Sequence, residues 1–226
     1  MTQLAAICDF LESFAPARLA EDWDNVGLLV GDASADISRV MTCLTITPAS
    51  AAEAIERGAQ LIVTHHPLPF RPLKRITTDT TAGELLWRLA QAGVAIYSPH
   101  TAFDSASDGI NQRLAEGLGL VDIEPLAPLA DDMDGLGAGR RGRLAAQMSV
   151  AEFAATIKAF LNVAGLHVVG DLASKISSPA VACGSAGQFL SDAAAAGCDA
   201  LVTGETSFHT CLEAEALGIA LLLPGH

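Results

Sequence analysis

"AIERGAQLIVTHH", residues 54–66, contains the end of an amphipathic stretch, a glycine, the aliphatic run 61–64 and the adjacent His65 and His66. A short aliphatic run of this kind is typical of a strand buried on both faces of a sheet. Similar runs alternate with Ala-rich amphipathic stretches along the chain, which indicates repeated βα units and an α/β fold. We predict strands at 26–30, 40–44, 61–64, 94–98, 142–146, 166–169, 180–183, 199–203 and 219–223, and helices at 3–14, 49–57, 81–92, 107–118, 150–161, 188–196 and 207–216. Ser149 and Glu152 form a capping box that begins the fifth helix, and Asn162 to Gly165 end it.

The chain contains two pairs of similar segments. "AAAAGCDALVTGE", residues 193–205, aligns without a gap on 54–66. "LGIALLLPGH", residues 217–226, parallels "AGVAIYSPHTAFD", residues 92–104, through a shared glycine and a shared proline. An internal duplication explains both pairs. The alternative is that any βα unit combines a glycine with an aliphatic strand.

The segment "PLAPLADDMDGLGAGRRG", residues 125–142, is rich in Pro, Asp and Gly and is the best candidate for a domain boundary. We therefore predict two related α/β halves, 1–124 and 125–226. The first carries His65, His66 and Asp104, and the second carries Glu205 and His226.

Composition limits the classes of function. The 226 residues are 50% hydrophobic, yet no apolar run approaches the ~18 residues of a membrane span, so the excess apolar surface is expected inside the protein or between subunits. The five cysteines are odd in number and scattered, and the amino terminus lacks the bases of an export signal, so we expect reduced thiols and a cytoplasmic protein. A net charge of −13 repels nucleic acid and favours metal cations.

Four predicted strands end in polar side chains. These ends carry Thr64-His65-His66, His100 to Asp104, Thr203-Gly204-Glu205 and Gly225-His226. Because ligands bind at the carboxyl ends of parallel strands, the four ends predict a site. Imidazole and carboxylate are ligands for Zn, Fe or Mn, although a lone His-His pair is more often structural.

Adjacent residues of a strand point to opposite sides, so His65 and His66 are expected to bind two neighbouring ions. Two ions about 3.5–4 Å apart can share a bridging water and clamp a substrate oxygen, which is hydrolytic chemistry.

Other residues have simpler interpretations. Trp23 and His167 are predicted to lie in the core. The cations Arg71, Lys74 and Arg75 belong either to a solvated loop or to a phosphate-binding site.

The segments "EDWDNVGLLVGD", "VTHHPLPF", "YSPHTAFDSASDGIN", "VACGSAG", "LVTGETSFH" and "PGH" occur in this order over nearly the whole chain. In this they resemble the Ngg-interacting-factor-three-like family, whose bacterial members are labelled GTP cyclohydrolase I type 2 homologs. The resemblance implies two α/β halves, a dinuclear metal site in the cleft between them and a toroidal homohexamer.

By position, the resemblance implies four metal ligands: His65, His66, Asp104 and His226. His100, Glu205 and His209 match family positions that line the site without being regular ligands. The family's last ligand is a glutamate four residues beyond the position of His226, where this sequence ends. We expect truncation at this end, with loss of a bridging carboxylate as the alternative, and hence a metal-poor protein.

Two functional hypotheses follow. The first is a metal-dependent hydrolase with two divalent ions (Zn, Fe or Mn), one held by His65 and His226 and the other by His66 and Asp104. A metal-bound hydroxide would be the nucleophile, with His100 and Glu205 as catalytic candidates and a nucleotide or phosphoester as the small-molecule substrate. The second is a non-enzymatic metal-binding regulator or scaffold hexamer. Ring opening of GTP is implied by the family label alone.

Overall fold

The structure is a computed structural model that describes residues 1–130, 134 and 136–226. Internal contacts divide the chain into two compact units, Met1–Phe103 and Asp104–His226. Both units combine strands with helices, which confirms the predicted α/β class.

The first unit contains a four-stranded mixed sheet in the order β2-β6-β5-β4. Strands β4, β5 and β6 are parallel, and β2 pairs antiparallel with β6 at one edge. The strands are β1 (Thr2–Gln3), β2 (Gly27–Val30), β3 (Asp36–Ile37), β4 (Val40–Cys43), β5 (Leu61–Thr64) and β6 (Ala95–Ser98), and the helices are α1 (Leu4–Phe14), α2 (Pro48–Glu56), α3 (Thr81–Gln91) and α4 (His100–Ser105), the last of which crosses the division between the units.

Both faces of this sheet are covered. Ile62 and Ile96 point to one side and belong to a core that includes Leu89 of α3. Leu61 and Tyr97 point to the other side and join the core that includes α1. Since successive side chains of a strand alternate between faces, a strand covered on both sides must be apolar throughout, as the sequence predicted.

The second unit contains a six-stranded mixed sheet in the order β12-β16-β15-β14-β10-β7, in which β14, β15 and β16 are parallel. Its strands are β7 (Leu120–Glu124), β8 (Ala127–Pro128), β9 (Gly137–Ala138), β10 (Arg140–Leu144), β11 (Met148–Ser149), β12 (His167–Val169), β13 (Lys175–Ile176), β14 (Pro179–Ala182), β15 (Ala200–Thr203) and β16 (Ala220–Leu223), and its helices are α5 (Ile110–Gly117), α6 (Val150–Leu161), α7 (Leu190–Ala195) and α8 (Phe208–Leu217). The capping box of α6 and its end at left-handed Asn162 are as predicted.

The compact units divide earlier than the composition indicated. Helix α5 and strand β7 precede the predicted boundary at 124/125, but both pack with β10 of the second sheet. Residues 131–133 and 135 of the proposed boundary segment lie outside the described residues.

The two units share a strand order. The series β2-β6-β5-β4 corresponds to β12-β16-β15-β14, each with three parallel strands and one antiparallel edge strand. Asp32 and Asp171 occupy matching turns after these edge strands, where each carboxylate accepts a backbone N–H two residues later. Gln60 and Asp199 likewise accept backbone N–H groups of Ser38 and Ser177 in their respective units. These matches support the internal duplication predicted from the sequence.

The prediction that His167 lies in the core is wrong, because β12 is an edge strand and this side chain is exposed. All five cysteines, which are among the described residues, are free thiols, as expected.

Candidate metal centre

The segment after β5 is fixed by its neighbours on both sides. The backbone N–H of His65 donates to the carbonyl of Cys43 at 3.2 Å, and that of His66 donates to the carbonyl of Leu44 at 2.9 Å. On the other side, the hydroxyl of Ser98 donates to the carbonyl of His65 at 2.7 Å. Parallel strands β4, β5 and β6 therefore end together and hold the two histidines at one edge of the sheet.

Three imidazoles converge at this edge. His65, His66 and His100 each offer a ring nitrogen, and these three atoms lie within 4.8 Å of one another. The ring centroids of His65 and His66 are 5.0 Å apart, because β5 ends at Thr64 and strand alternation no longer governs their directions. The three nitrogens are therefore close enough together to bind a shared divalent ion.

His100 adopts a rare backbone conformation, with φ of 26°, directly after β6 and Pro99. A positive φ is unfavourable for a residue other than glycine and persists where the surrounding contacts fix it. The ring of His100 is buried and lies 5.2 Å from His65 and 5.7 Å from His66, centroid to centroid. The strained turn thus delivers the third imidazole.

The Nδ1 atoms of His66 and His100 are each hydrogen-bonded to a side-chain oxygen. Thr45 Oγ1 lies 2.6 Å from His66 Nδ1, and Asp24 Oδ1 lies 2.8 Å from His100 Nδ1. A partner on Nδ1 fixes the ring and leaves Nε2 for a ligand, which is how metal-binding histidines are usually oriented.

The Asp24 side chain is fully buried. Burial by itself raises the pKa of the Asp24 carboxyl group. Hydrogen bonds from His100, from Thr101 and from the backbone N–H of Asn25, together with the charge of His100, have a larger opposite effect. The pKa of Asp24 is therefore lowered to about 2. Thr101 donates both its backbone N–H, at 3.1 Å, and its hydroxyl. Asp24 is therefore an anion at neutral pH, built to hold the His100 ring.

This donor set fits a divalent transition-metal ion. Three imidazoles are ligands for Zn, Fe or Mn, and a buried carboxylate behind one of them increases its basicity.

The predicted site residues of the second unit lie at the ends of its own parallel strands and in α4. His226 Nδ1 lies 3.2 Å from Glu205 Oε1, and both side chains are partly exposed.

Asp104 is held through its backbone carbonyl, which accepts a hydrogen bond from Asn111 Nδ2 at 3.1 Å. The side-chain Oδ1 of Asn111 in turn accepts the backbone N–H of Cys183 at 2.7 Å. Burial, and then Asp104, raise the pKa of the Cys183 thiol.

A glycine is required between these strand ends. A Cβ on Gly204 would lie 2.8 Å from the carbonyl oxygen of Gly184 and 2.9 Å from that of Gly225. Gly204 occupies the position that aligns with His65 when residues 193–205 are placed on 54–66. His209, on α8, is exposed beside Phe208.

The prediction that Trp23 packs in the core is wrong. Its side chain is 57% exposed, and its ring centroid lies 6.1 Å from that of His100.

Sequence reasoning also missed Asp24, Thr45 and Thr101 as partners of the histidines. The acidic segment "EDWDN" was the available signal for Asp24, since a carboxylate commonly orients a metal-binding imidazole.

No helix in the part of the chain that the structure describes is both long and apolar enough for a membrane crossing.

Comparison with known proteins identifies relatives over the full chain. The model of the Duf34/NIF3 (NGG1p interacting factor 3) family matches residues 2–226. The GTP cyclohydrolase 1 type 2 homolog of Clostridium perfringens is 38% identical over 229 residues, covering 99% of this chain and 85% of the relative. Its namesake from Clostridium acetobutylicum is 36% identical over 220 residues, 97% of this chain and 82% of the relative. The crystal structure of a Bacillus cereus protein related to NIF3 has a TM-score of 0.91 and 26% identity, and covers 100% of this chain and 88% of its own.

Proposed function

Because this chain belongs to the Duf34/NIF3 family and gathers three imidazoles at one sheet edge, we propose that it is a divalent-metal-binding protein that acts as a metal-dependent hydrolase. The convergence of His65, His66 and His100 within 4.8 Å is the observation that carries this proposal. When bound, divalent ions would polarise a substrate oxygen and lower the pKa of a water molecule.

The protein's own residues have separable tasks in this proposal. His65 and His66 hold the two ions of a pair, one each, and Asp104 and His226 are the further ligands that we propose from the sequence. His100, fixed through Nδ1 by Asp24, presents Nε2 to the same site, where it can bind an ion or move a proton. Glu205, with its carboxylate beside His226, is the second candidate for proton transfer.

The substrate is proposed to be a small molecule with a bond that water can cleave, such as a nucleotide or a phosphoester. The name shared by the Clostridium relatives supports a nucleotide. We also propose a cytoplasmic location and a homohexameric assembly, both from the sequence.

The test is metal analysis followed by a screen for turnover. Protein reconstituted with Zn²⁺, Fe²⁺ or Mn²⁺ should contain divalent transition metal, with up to two equivalents per chain. A screen of nucleotides and phosphoesters should then reveal hydrolysis that chelator abolishes and added Zn²⁺ or Mn²⁺ restores. His65→Ala provides the inactive reference. Asp32→Asn, a change in the exposed turn that follows edge strand β2, provides the matched control.

Metal without turnover on any compound would contradict the hydrolase and favour a non-enzymatic metal-binding regulator or scaffold. Absence of metal from a protein reconstituted with Zn²⁺, Fe²⁺ or Mn²⁺ would contradict the proposal altogether.

A further inference from the structure

Two exposed aromatic rings lie beside the histidine cluster. The Trp23 and Phe70 side chains are 57% and 47% exposed. Their ring centroids are 5.9 Å apart and their planes are tilted by 48°. Because the rings are tilted and exposed, each leaves aromatic surface open to a ligand.

Both rings also contact His100. The centroid of His100 lies 6.1 Å from that of Trp23 and 6.1 Å from that of Phe70, with interplanar angles of 76° and 73°. The three rings form a notch, hereafter the aromatic notch, in which Trp23 and Phe70 are the outer walls and His100 is the inner end.

The aromatic notch is anchored to the same residues that build the histidine cluster. Trp23 directly precedes Asp24, whose carboxylate is fixed by His100 and Thr101. Phe70 directly follows Pro69, whose carbonyl accepts a hydrogen bond from Asn25 Nδ2 at 2.8 Å. The short segment 24–25 therefore ties both walls to His100. A large exposed apolar surface on such a framework is typical of a ligand-binding position rather than of a loose loop.

We propose that the aromatic notch binds a planar aromatic ring of the substrate and thereby presents the bond to be cleaved to the histidine cluster. The ring would lie against the open face of Trp23 or Phe70, an interaction that tolerates many ring types because every planar aromatic system has a π-face. Trp23 and Phe70 are then residues that determine specificity. The role rests on the proposed function, since it matters only where a reaction occurs at His65, His66 and His100.

The sequence provides a direct probe of this contact. The chain has two tryptophans, Trp23 and Trp87, and Trp87 lies on the exposed side of α3. In the Trp87→Phe variant, Trp23 is the sole indole fluorophore. We expect AMP to quench its emission in a saturable way, whereas ribose 5-phosphate, which has the same phosphate and sugar without the ring, does not. The titration uses Zn²⁺-loaded protein and excitation where adenine does not absorb. In Trp23→Phe, where Trp87 is the only indole, AMP should cause no saturable quenching.

A binding experiment tests the energetic contribution. Calorimetry should show that Trp23→Leu and Phe70→Leu each weaken AMP binding about tenfold, a normal loss for one stacked ring, while Trp87→Leu leaves binding unchanged. Equal quenching by ribose 5-phosphate, or saturable AMP binding that neither substitution weakens, would overturn the proposal. So would the absence of saturable quenching in Zn²⁺-loaded Trp87→Phe.

Metal content measured on the same samples separates the two proposals. Trp23→Leu should retain the metal of the unsubstituted protein, because the indole is not a ligand. Loss of AMP binding with full metal content therefore reports on the aromatic notch. AMP quenching in a protein that cannot be loaded with metal would support the aromatic notch while the metal-centre proposal fails.

Discussion

Both carboxylate oxygens of Asp24 contact Nδ1 of His100, Oδ1 at 2.8 Å and Oδ2 at 2.9 Å. With the carboxylate ionised, Nδ1 is the donor and Nε2 is the nitrogen left for the histidine cluster. The residues are 76 positions apart in the chain, so this pairing exists only in the folded first unit.

Asp24→Asn should weaken metal binding. The amide keeps the shape of the side chain but removes the anion that orients His100, and loss of such partners typically costs about 10- to 100-fold in metal affinity. Competition against a chromophoric chelator measures the change. Asp32→Asn, which alters an exposed carboxylate of the same unit, is the matched control and should bind metal like the parent protein. Equal affinities for all three proteins would show that Asp24 does not support a metal ligand.

The same carboxylate should give the metal-free protein a particular pH dependence. The folded pKa of Asp24, about 2, lies below the ordinary value of 3.8, so its stabilising contribution is fully present above pH 3.8 and is lost as pH falls toward 2. The difference in unfolding free energy between the parent and Asp24→Asn should therefore shrink by about 2 kcal/mol over that range. Urea unfolding in the presence of chelator measures it. A difference that stays constant from pH 5 downward would contradict the depressed pKa.

His65→Ala and His66→Ala distinguish a shared ion from a pair of ions. If each histidine holds its own ion, each single substitution should remove about one equivalent of metal, and the double substitution should remove both. Metal analysis after reconstitution with Zn²⁺ gives the stoichiometry. A double variant that still binds one equivalent would place both histidines on the same ion.

The sequence predicted more of the sheets than of the site. Aliphatic runs such as 61–64 located the parallel strands because a strand buried on both faces must be apolar. Two-residue strands such as β1 and β3 were not predicted, because two residues are too few to show a periodic pattern. Helix α4 escaped as well, because it begins after Pro99 with a strained His100 that only tertiary contacts explain.

At the site, residue type predicted the histidines but not their directions. The strand-alternation argument did not extend to His65 and His66, which lie beyond the end of β5. Asp24 and Thr45 were missed because their roles depend on contacts far apart in sequence. The segments "VGDASADIS", residues 30–38, and "VGDLASKIS", residues 169–177, also match each other. This third pair was visible in the sequence and adds to the evidence for an internal duplication.

The protein should sediment as an oligomer. Phe208 and Leu212, one turn apart on α8, are 72% and 47% exposed, and a contiguous apolar surface of this kind is expected to be covered by another subunit. Sedimentation velocity at micromolar concentration checks this. Phe208→Ser with Leu212→Ser should shift the protein to a smaller species, whereas Val121→Ser, at an exposed strand position, should not. A monomeric parent protein would contradict the expectation.

Arg140 should be the costliest arginine to replace. Its guanidinium is buried, and among the described residues it donates to five neutral oxygens: the carbonyls of residues 105, 106, 137 and 139 and the side chain of Gln112. Burial lowers the pKa of this group, so its charge is maintained by these bonds rather than by a carboxylate.

Arg140→Met fills a similar volume but leaves those oxygens buried without donors. Since the carbonyls of Ser105 and Ala106 end helix α4, the loss should loosen the segment that carries Asp104. We expect the unfolding free energy to fall by about 3–5 kcal/mol. Arg141→Met removes an exposed ion pair with Glu124 and should cost about 1 kcal/mol or less, which makes it the matched control. Urea unfolding of the two variants in chelator measures both costs in the absence of metal. Similar values for the two would mean that the buried oxygens find other donors and that Arg140 does not hold α4 in place.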